Sequence, residues 1–459
     1  MFENHKVLLA ILGPVFSAVV AYLLSLNGWE SPACWTGAIA ALTAFWWITE
    51  AIPIPITSMI PLAGLPAVGV LTPAQIGASY GHWLILLLLG GFILSTAMAA
   101  SGAHRRVALG MVSLVGGSSS RRLVFGFMAA SAVLSMWISN TATTLMLLPV
   151  ALAVLERSPD KALATPLLLG IAYAASVGGI GTPIGTPPNV VFRDAYQRAT
   201  GTDVEFLTWM AWGVPVVIVL VPLIAIWLTR RLNYQGAVEV PSVGRWQAYE
   251  TRVFIVFALT ALAWITRKEP FGGWSTWLDL PTANDASVAL LAVVAMFLIP
   301  NGKGGRLLDW ETANKIPWGM LILFGAGIAL ANAFGESGLS QALGDALAGI
   351  ADWPLLLMIA VICLTITFLT EITSNTATTA LMMPILAAAA LAAGIEPALM
   401  MVPAAMSASC AFMLPVATAP NTAVFSTGRF TTSTMAREGA ALNLISAFII
   451  SLICLILFG

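Results

Sequence analysis

From VLLAILGPVFSAVVAYLL (7–24) to LISAFIISLICLILF (444–458), the chain returns repeatedly to apolar runs close to 20 residues long. A run of that length crosses hydrocarbon as a helix, because inside a bilayer each backbone N–H and C=O must find its partner within its own segment. Only 9% of the residues are charged, against about a quarter in soluble domains, too few to clothe a water-facing surface. The fold expected is an all-α polytopic membrane protein.

Spans are expected near 7–26, 34–49, 57–71, 82–100, 163–197, 207–229, 251–266, 286–300, 316–334, 397–427 and 438–458, about 11 in all. The first follows Lys6 in the manner of a signal peptide, but no small-residue cleavage site precedes NGWE (27–30), so a retained span is expected. Two further apolar segments, 123–155 and 353–393, are too long for one comfortable crossing. Each carries the hexapeptide SNTATT near its middle, at Ser139–Thr144 and Ser374–Thr379. A re-entrant helical hairpin fits both: it enters the membrane, turns on a polar tip shielded from lipid, and leaves by the same side. With both treated as hairpins and the N-terminus cytoplasmic, 16 of the 20 Lys and Arg residues face the cytoplasm. Arg193, Arg198, Arg267 and Lys268 fall outside, and Glu336, Asp345, Asp352 and Glu396 fall in outer loops without basic residues. The positive-inside rule favours that orientation.

The two halves correspond beyond the hexapeptide. Trp83 and Trp318, Gly90 and Gly325, and Pro149 and Pro384 are each 235 residues apart, and within GTPIGTPPNVVF (181–192) and LPVATAPNTAVF (414–425) Pro183, Thr186, Pro188 and Asn189 match Pro415, Thr418, Pro420 and Asn421 at a separation of 232. Five spans plus a hairpin, duplicated, make an odd number of crossings, so the second copy is expected upside down. Inverted repeats with broken helices are the architecture of secondary transporters, whose sites lie near the midplane where the repeats meet. The units expected are a first helix over 1–30 and a repeat over 31–235, with scaffold helices 34–110, hairpin 122–157, broken helix 163–197 and helix 207–229. A cytoplasmic linker over 236–250 follows. The second repeat, over 251–459, has scaffold helices 251–349, hairpin 353–393, broken helix 397–427 and helix 438–458.

The polar blocks hold the chemistry. After each SNT an apolar helix resumes, which sets Ser, Asn and Thr at a helix N-terminus whose free N–H groups and positive dipole end suit an anion. In GTPPN and TAPN, proline interrupts a span, freeing carbonyls for a cation and placing Asn189 and Asn421 to cap the resuming helices. No Lys or Arg lies in these blocks. A multivalent anion there lacks a fixed countercharge, and bound sodium, one ion per half, would supply it.

The paired SNT motifs, the PPN and APN blocks and TEAIPIPIT (49–57) resemble the divalent anion:sodium symporter (DASS) family over almost the whole chain. The resemblance implies a bacterial sodium/dicarboxylate transporter, a multi-pass homodimer of the cell inner membrane whose transport domains move as elevators against a fixed scaffold. It implies import of C4-dicarboxylates such as succinate, malate and fumarate with sodium. Relatives of the same fold that are proton-coupled, carry citrate or sulfate, or exchange dicarboxylates form the nearest alternative. Carried over by position, one sodium falls among Ser135, Ser139, Asn140 and the backbone at Gly185, and a second among Thr370, Ser374, Asn375 and the backbone at Ala417. The substrate carboxylates fall to Asn140, Thr141 and Thr186 from one half, and to Ser374, Asn375, Thr376 and Thr418 from the other. Ser135 and Thr370 are also 235 residues apart, while Ala419 stands where many members have a second proline.

An ion channel with re-entrant loops also uses hairpins, but channels build symmetric rings about one axis, whereas inverted repeats with helix breaks suit alternating access. An enzyme is not expected, since the polar centre lacks acid–base residues, and nothing suggests an organic cofactor, a phosphate loop or a nucleic-acid surface. Glu50 and Glu371 lie at or near membrane depth without repeat counterparts (Met136 matches Glu371), which favours structural hydrogen bonding at the site's edge over proton coupling. Trp46, Trp47, Trp274 and Trp277 suit interfacial belts, and Gly116–Ser120 a cytoplasmic turn. Cys34, Cys363, Cys410 and Cys454 lack metal-type spacing and read as small buried hydrophobes. His5, His82 and His104 are dispersed and suggest no metal site.

Overall fold

The computed structural model describes residues 2–115, 119–233, 244–269, 271–342 and 353–459. Three expectations lie partly or wholly outside those residues: the start of the turn at Gly116–Ser120, most of the linker at 236–250, and the outer-loop acids Asp345 and Asp352 with the end of scaffold segment 251–349. The regular structure described is helical, apart from one isolated bridge between Pro300 and Arg306.

In the first half, α1 (Phe2–Leu26) packs on α2 (Ser31–Thr49) and otherwise keeps an exposed apolar surface. A proline-rich stretch follows, and the span expected over 57–71 becomes two short helices, α3 (Ile54–Thr57) and α4 (Met59–Ala67), split at Ser58. Next come α5 (Pro73–Tyr80), opened by a Thr72–Gln75 capping box, then α6 (Trp83–Ser101) and α7 (Ala103–Val115). Then follow α8 (Ser120–Ser135), α9 (Asn140–Arg157), α10 (Ala164–Gly178), α11 (Pro187–Thr200) and α12 (Phe206–Thr229). The second half contains α13 (Ala248–Ile265), α14 (Gly273–Trp277), α15 (Asp285–Leu298), α16 (Trp310–Ala313) and α17 (Trp318–Glu336). It ends with α18 (Leu355–Leu369), α19 (Asn375–Ala392), α20 (Ala398–Ser407), α21 (Ala419–Phe425) and α22 (Thr432–Phe458). Among the described residues, 8 helical stretches are long and apolar enough to cross a membrane, and shorter apolar helices accompany them. The protein is an all-helical, multi-pass membrane protein.

The spacing of the halves survives into their helices. α6 and α17 begin and end 235 residues apart, and so do α9 and α19. At the centre lies α10, buried on every side from Pro166 onward and packed on α8, α9, α12 and α21. Lipid offers no hydrophobic drive between helices, so close approach through small residues holds them together. Gly178 leaves no room for a Cβ against Ala132 of α8, and a Cβ on Gly90 of α6 would lie 2.6 Å from that of Ala289 on α15.

One expectation fails for lack of tertiary information. Trp47 is not an interfacial residue: it is 1% exposed and donates to Ser58 Oγ at 3.0 Å. Arg193, assigned from the sequence to the outer side, is fully buried on α11 and meets Asp285 at 3.1 Å, Asp203 at 3.3 Å and the face of Trp83. Asp285 also holds Arg267 at 2.8 Å, and Arg267 bonds Glu205, which pairs with Lys268. Burial of these charges is tolerated because each finds an opposite partner.

Candidate functional site

Two tight turns and two unwound segments converge. The turns join α8 to α9 and α18 to α19, and each new helix starts at the asparagine of its SNT motif, after Ser139 and Ser374 as N-caps. Ser139 Oγ accepts the Ala142 N–H at 3.2 Å; Ser374 makes no such side-chain bond. Just behind each tip the same contact recurs: Ser135 Oγ donates to Asn140 Oδ1 at 2.6 Å, and Thr370 Oγ1 to Asn375 Oδ1 at 2.6 Å. Thr370 Oγ1 also lies 3.2 Å from the Ala408 carbonyl. In the first half, the bare Cα of Gly179 makes the equivalent space. A Cβ there would sit 2.8 Å from Asn140 Oδ1 and 3.2 Å from the Gly185 carbonyl. Each half therefore gathers hydroxyl, amide and carbonyl oxygens at one point, a donor set that suits a hard cation.

The unwound segments are fastened by asparagine. Asn189 Nδ2 donates to the carbonyls of Gly179 (2.9 Å) and Thr182 (2.7 Å); Asn421 Nδ2 donates to Ala411 (2.9 Å) and Leu414 (3.1 Å). These residues do not cap the resuming helices, as the sequence suggested. They lie inside the first turns of α11 and α21 and tie the breaks shut from there, while Thr186 and Thr418 take the N-cap positions. The two threonines have nearly the same backbone, φ −145° and ψ 145° against φ −141° and ψ 153°. Ala419 in place of a second proline therefore leaves the start of α21 shaped like that of α11.

Glu371 behaves as a structural acceptor. Its Oε1 accepts the N–H groups of Phe412 (2.6 Å) and Met413 (2.8 Å) and Asn443 Nδ2 (2.8 Å), and its Oε2 accepts the Leu414 N–H at 2.9 Å. Glu50 does not fit the same expectation. It ends α2 in a left-handed conformation, φ 46°, and forms no hydrogen bond or ion pair among the described residues.

A cavity of about 860 Å³ joins these parts. Ser139, Asn140, Thr141, Gly185 and Thr186 line it from the first half, and Ser374, Asn375, Thr376, Ala417 and Thr418 from the second. Ser135 and Thr370, fully buried, stand behind the lining. Every residue assigned from the sequence to sodium or to a carboxylate thus lies in or directly behind one cavity. Sequence reasoning missed Lys315, which lines the cavity from the turn before α17. Its neighbours Ile316 and Pro317 mark a turn, but nothing in them signals which way the ammonium faces.

A sequence model of a family described as citrate transporter matches residues 44–405. A sodium-dependent dicarboxylate transporter, SdcS of Staphylococcus saprophyticus, is 40% identical over 96% of this chain and 89% of its own. Its namesake in Staphylococcus aureus strain MRSA252 is 39% identical over 98% and 91%. Among solved structures, the Alcanivorax borkumensis YdaH transporter aligns with a TM-score of 0.58 at 16% identity, covering 92% of this chain and 98% of that one. Neisseria gonorrhoeae MtrF gives 0.56 at 16% identity, covering 99% and 94%. At those identities the two structures speak for the fold alone.

Proposed function

Because the chain belongs to the citrate-transporter family and, with its SdcS relatives, to the divalent anion:sodium symporters, we propose that it is a secondary active transporter coupling sodium to a dicarboxylate. The observation that carries this reading is the convergence of both SNT tips and both helix breaks on one cavity. Its volume of about 860 Å³ falls in the usual range of small-molecule sites, about 300–1,000 Å³.

In this reading the oxygens of Ser135, Ser139, Asn140 and Gly185 hold one sodium, and those of Thr370, Ser374, Asn375 and Ala417 a second. Asn140, Thr141, Thr186, Ser374, Asn375, Thr376 and Thr418 offer amides, hydroxyls and helix N-terminal N–H groups to two carboxylates. The ions neutralise a dianion that the tips themselves cannot, so sodium and substrate raise one another's affinity reciprocally. The favoured cargo is a C4-dicarboxylate, imported across the bacterial inner membrane by a homodimer with cytoplasmic N-termini. Inverted repeats supply the architecture: hairpins and broken helices travel together as an elevator, and the spans at 34–100 and 251–334 stay behind. The polar centre serves passage, not catalysis.

The test is uptake of labelled succinate into proteoliposomes under separate sodium and proton gradients, with malate, fumarate, citrate and sulfate as competitors. Saturable uptake that needs inward sodium is expected, and Asn140→Ala and Asn375→Ala should each abolish it in folded protein. Equal uptake in sodium and choline would overturn the coupling, and full activity in either variant would overturn the site.

A further inference from the structure

Resting on that transport reading, we propose that Lys315 and Glu50 form a charge filter at the cavity's mouth. Lys315 attracts an incoming anion and Glu50 repels it, each in proportion to the anion's charge. Three ionisable side chains line the cavity among the described residues: Glu50, Lys315 and Glu371. The Glu371 carboxylate is buried and held by four N–H donors, so it is fixed in the wall and not free to meet cargo. Glu50 and Lys315 are exposed, and neither side chain forms a hydrogen bond or ion pair among the described residues. Asp309, whose field reaches Lys315, is already engaged at the start of α16, where it accepts the Thr312 N–H at 2.8 Å.

Both charges stand on fixed backbone. Lys315 sits between buried Ala313 and Ile316, ahead of Pro317 at the cap of α17, and Trp318 Nε1 reaches back to the Asn314 carbonyl and Oδ1 at 3.1 Å. Glu50 is held in the left-handed region, a conformation a residue with a Cβ adopts only when its surroundings enforce it. The two turns are locked together, since Gly319 of α17 leaves no room for a Cβ against Pro55 of α3. A rigid rim carrying one unpaired charge of each sign, above a cavity walled by low-dielectric protein, focuses its field on whatever enters.

The filter predicts kinetics that depend on side, charge and salt. By the expected topology this is the cytoplasmic face, so in inside-out vesicles at low ionic strength Lys315→Gln should raise the KM for succinate about three- to fivefold, a modest share of what charge focusing can give. Vmax should move far less, and Lys315→Arg should restore the KM. The wild-type KM should climb with salt as the screening length shrinks to about 8 Å near 0.15 M, and the Gln variant should lose that slope. Glu50→Gln should lower KM, more for trianionic citrate than for succinate. Absence of sodium-driven uptake in the wild type would overturn the transport reading itself. Wild-type uptake with an unchanged KM and salt slope in Lys315→Gln would overturn the filter alone.

Discussion

Glu371 stands where the first half has Met136, and this one difference changes how the two unwound segments are held. In the first half, Thr182 Oγ1 donates to the Met136 carbonyl. In the second, a carboxylate takes three consecutive backbone N–H groups and the Asn443 amide. Those N–H groups belong to a break that leads to Ala417 and Thr418, which makes Glu371 the expected positioning residue for the proposed second sodium site. Glu371→Gln keeps the shape but turns an NH₂ toward donors, leaving buried groups unsatisfied at a cost of about 1–3 kcal/mol. The sodium concentration for half-maximal uptake should rise about tenfold, equivalent to 1.36 kcal/mol, while the corresponding change at Met136, to Gln, should shift it little. An unaltered sodium dependence in Glu371→Gln would remove the residue from this role.

At the scale of elements, each helix–turn–helix is proposed to enter and leave by one face. Arg122 and Arg157, near the far ends of α8 and α9, are exposed. Cysteines replacing them, in a background lacking the four native cysteines, should both react with an impermeant reagent from the cytoplasmic side only. Reaction from opposite sides would make the segment a crossing and undo the inverted repeat. Much at this scale was legible in the sequence. The two hexapeptides marked both turns, and the prolines of GTPPN and TAPN marked both breaks, because polar tips and missing donors are local chemistry. The division of 57–71 at Ser58, the helix α5 and the amphipathic α7 were not legible, since short helices are decided by what they pack against. The capping role given to Asn189 and Asn421 failed likewise: the residue type announces a hydrogen bond, but its direction depends on carbonyls ten residues upstream.

Over the whole molecule, the halves pack along many helix pairs and are fastened by polar contacts that neither could make alone. Tyr173 donates its hydroxyl to the Phe412 carbonyl at 2.6 Å, and Arg193 and Arg267 share Asp285. Removing that shared carboxylate would leave two buried cations short of a partner, and breaking such a pair costs about 3–5 kcal/mol. Asp285→Ala should therefore lower the thermal stability of the solubilised protein sharply, while Glu269→Gln, on an exposed loop, should not; equal melting of the two would show the cluster to be ornamental. The same cluster bears on how the chain is made. Arg193 leaves the ribosome 92 residues ahead of Asp285, a lag of roughly 5–20 s at ordinary rates of synthesis. During that interval α11 is a 14-residue segment carrying a charge that costs about 2.5–3.5 kcal/mol to place in mid-membrane. Asp203 follows only ten residues later but stays partly exposed, whereas the fully buried partner Asp285 comes with the second half, so the pocket that buries Arg193 closes only once both halves are made.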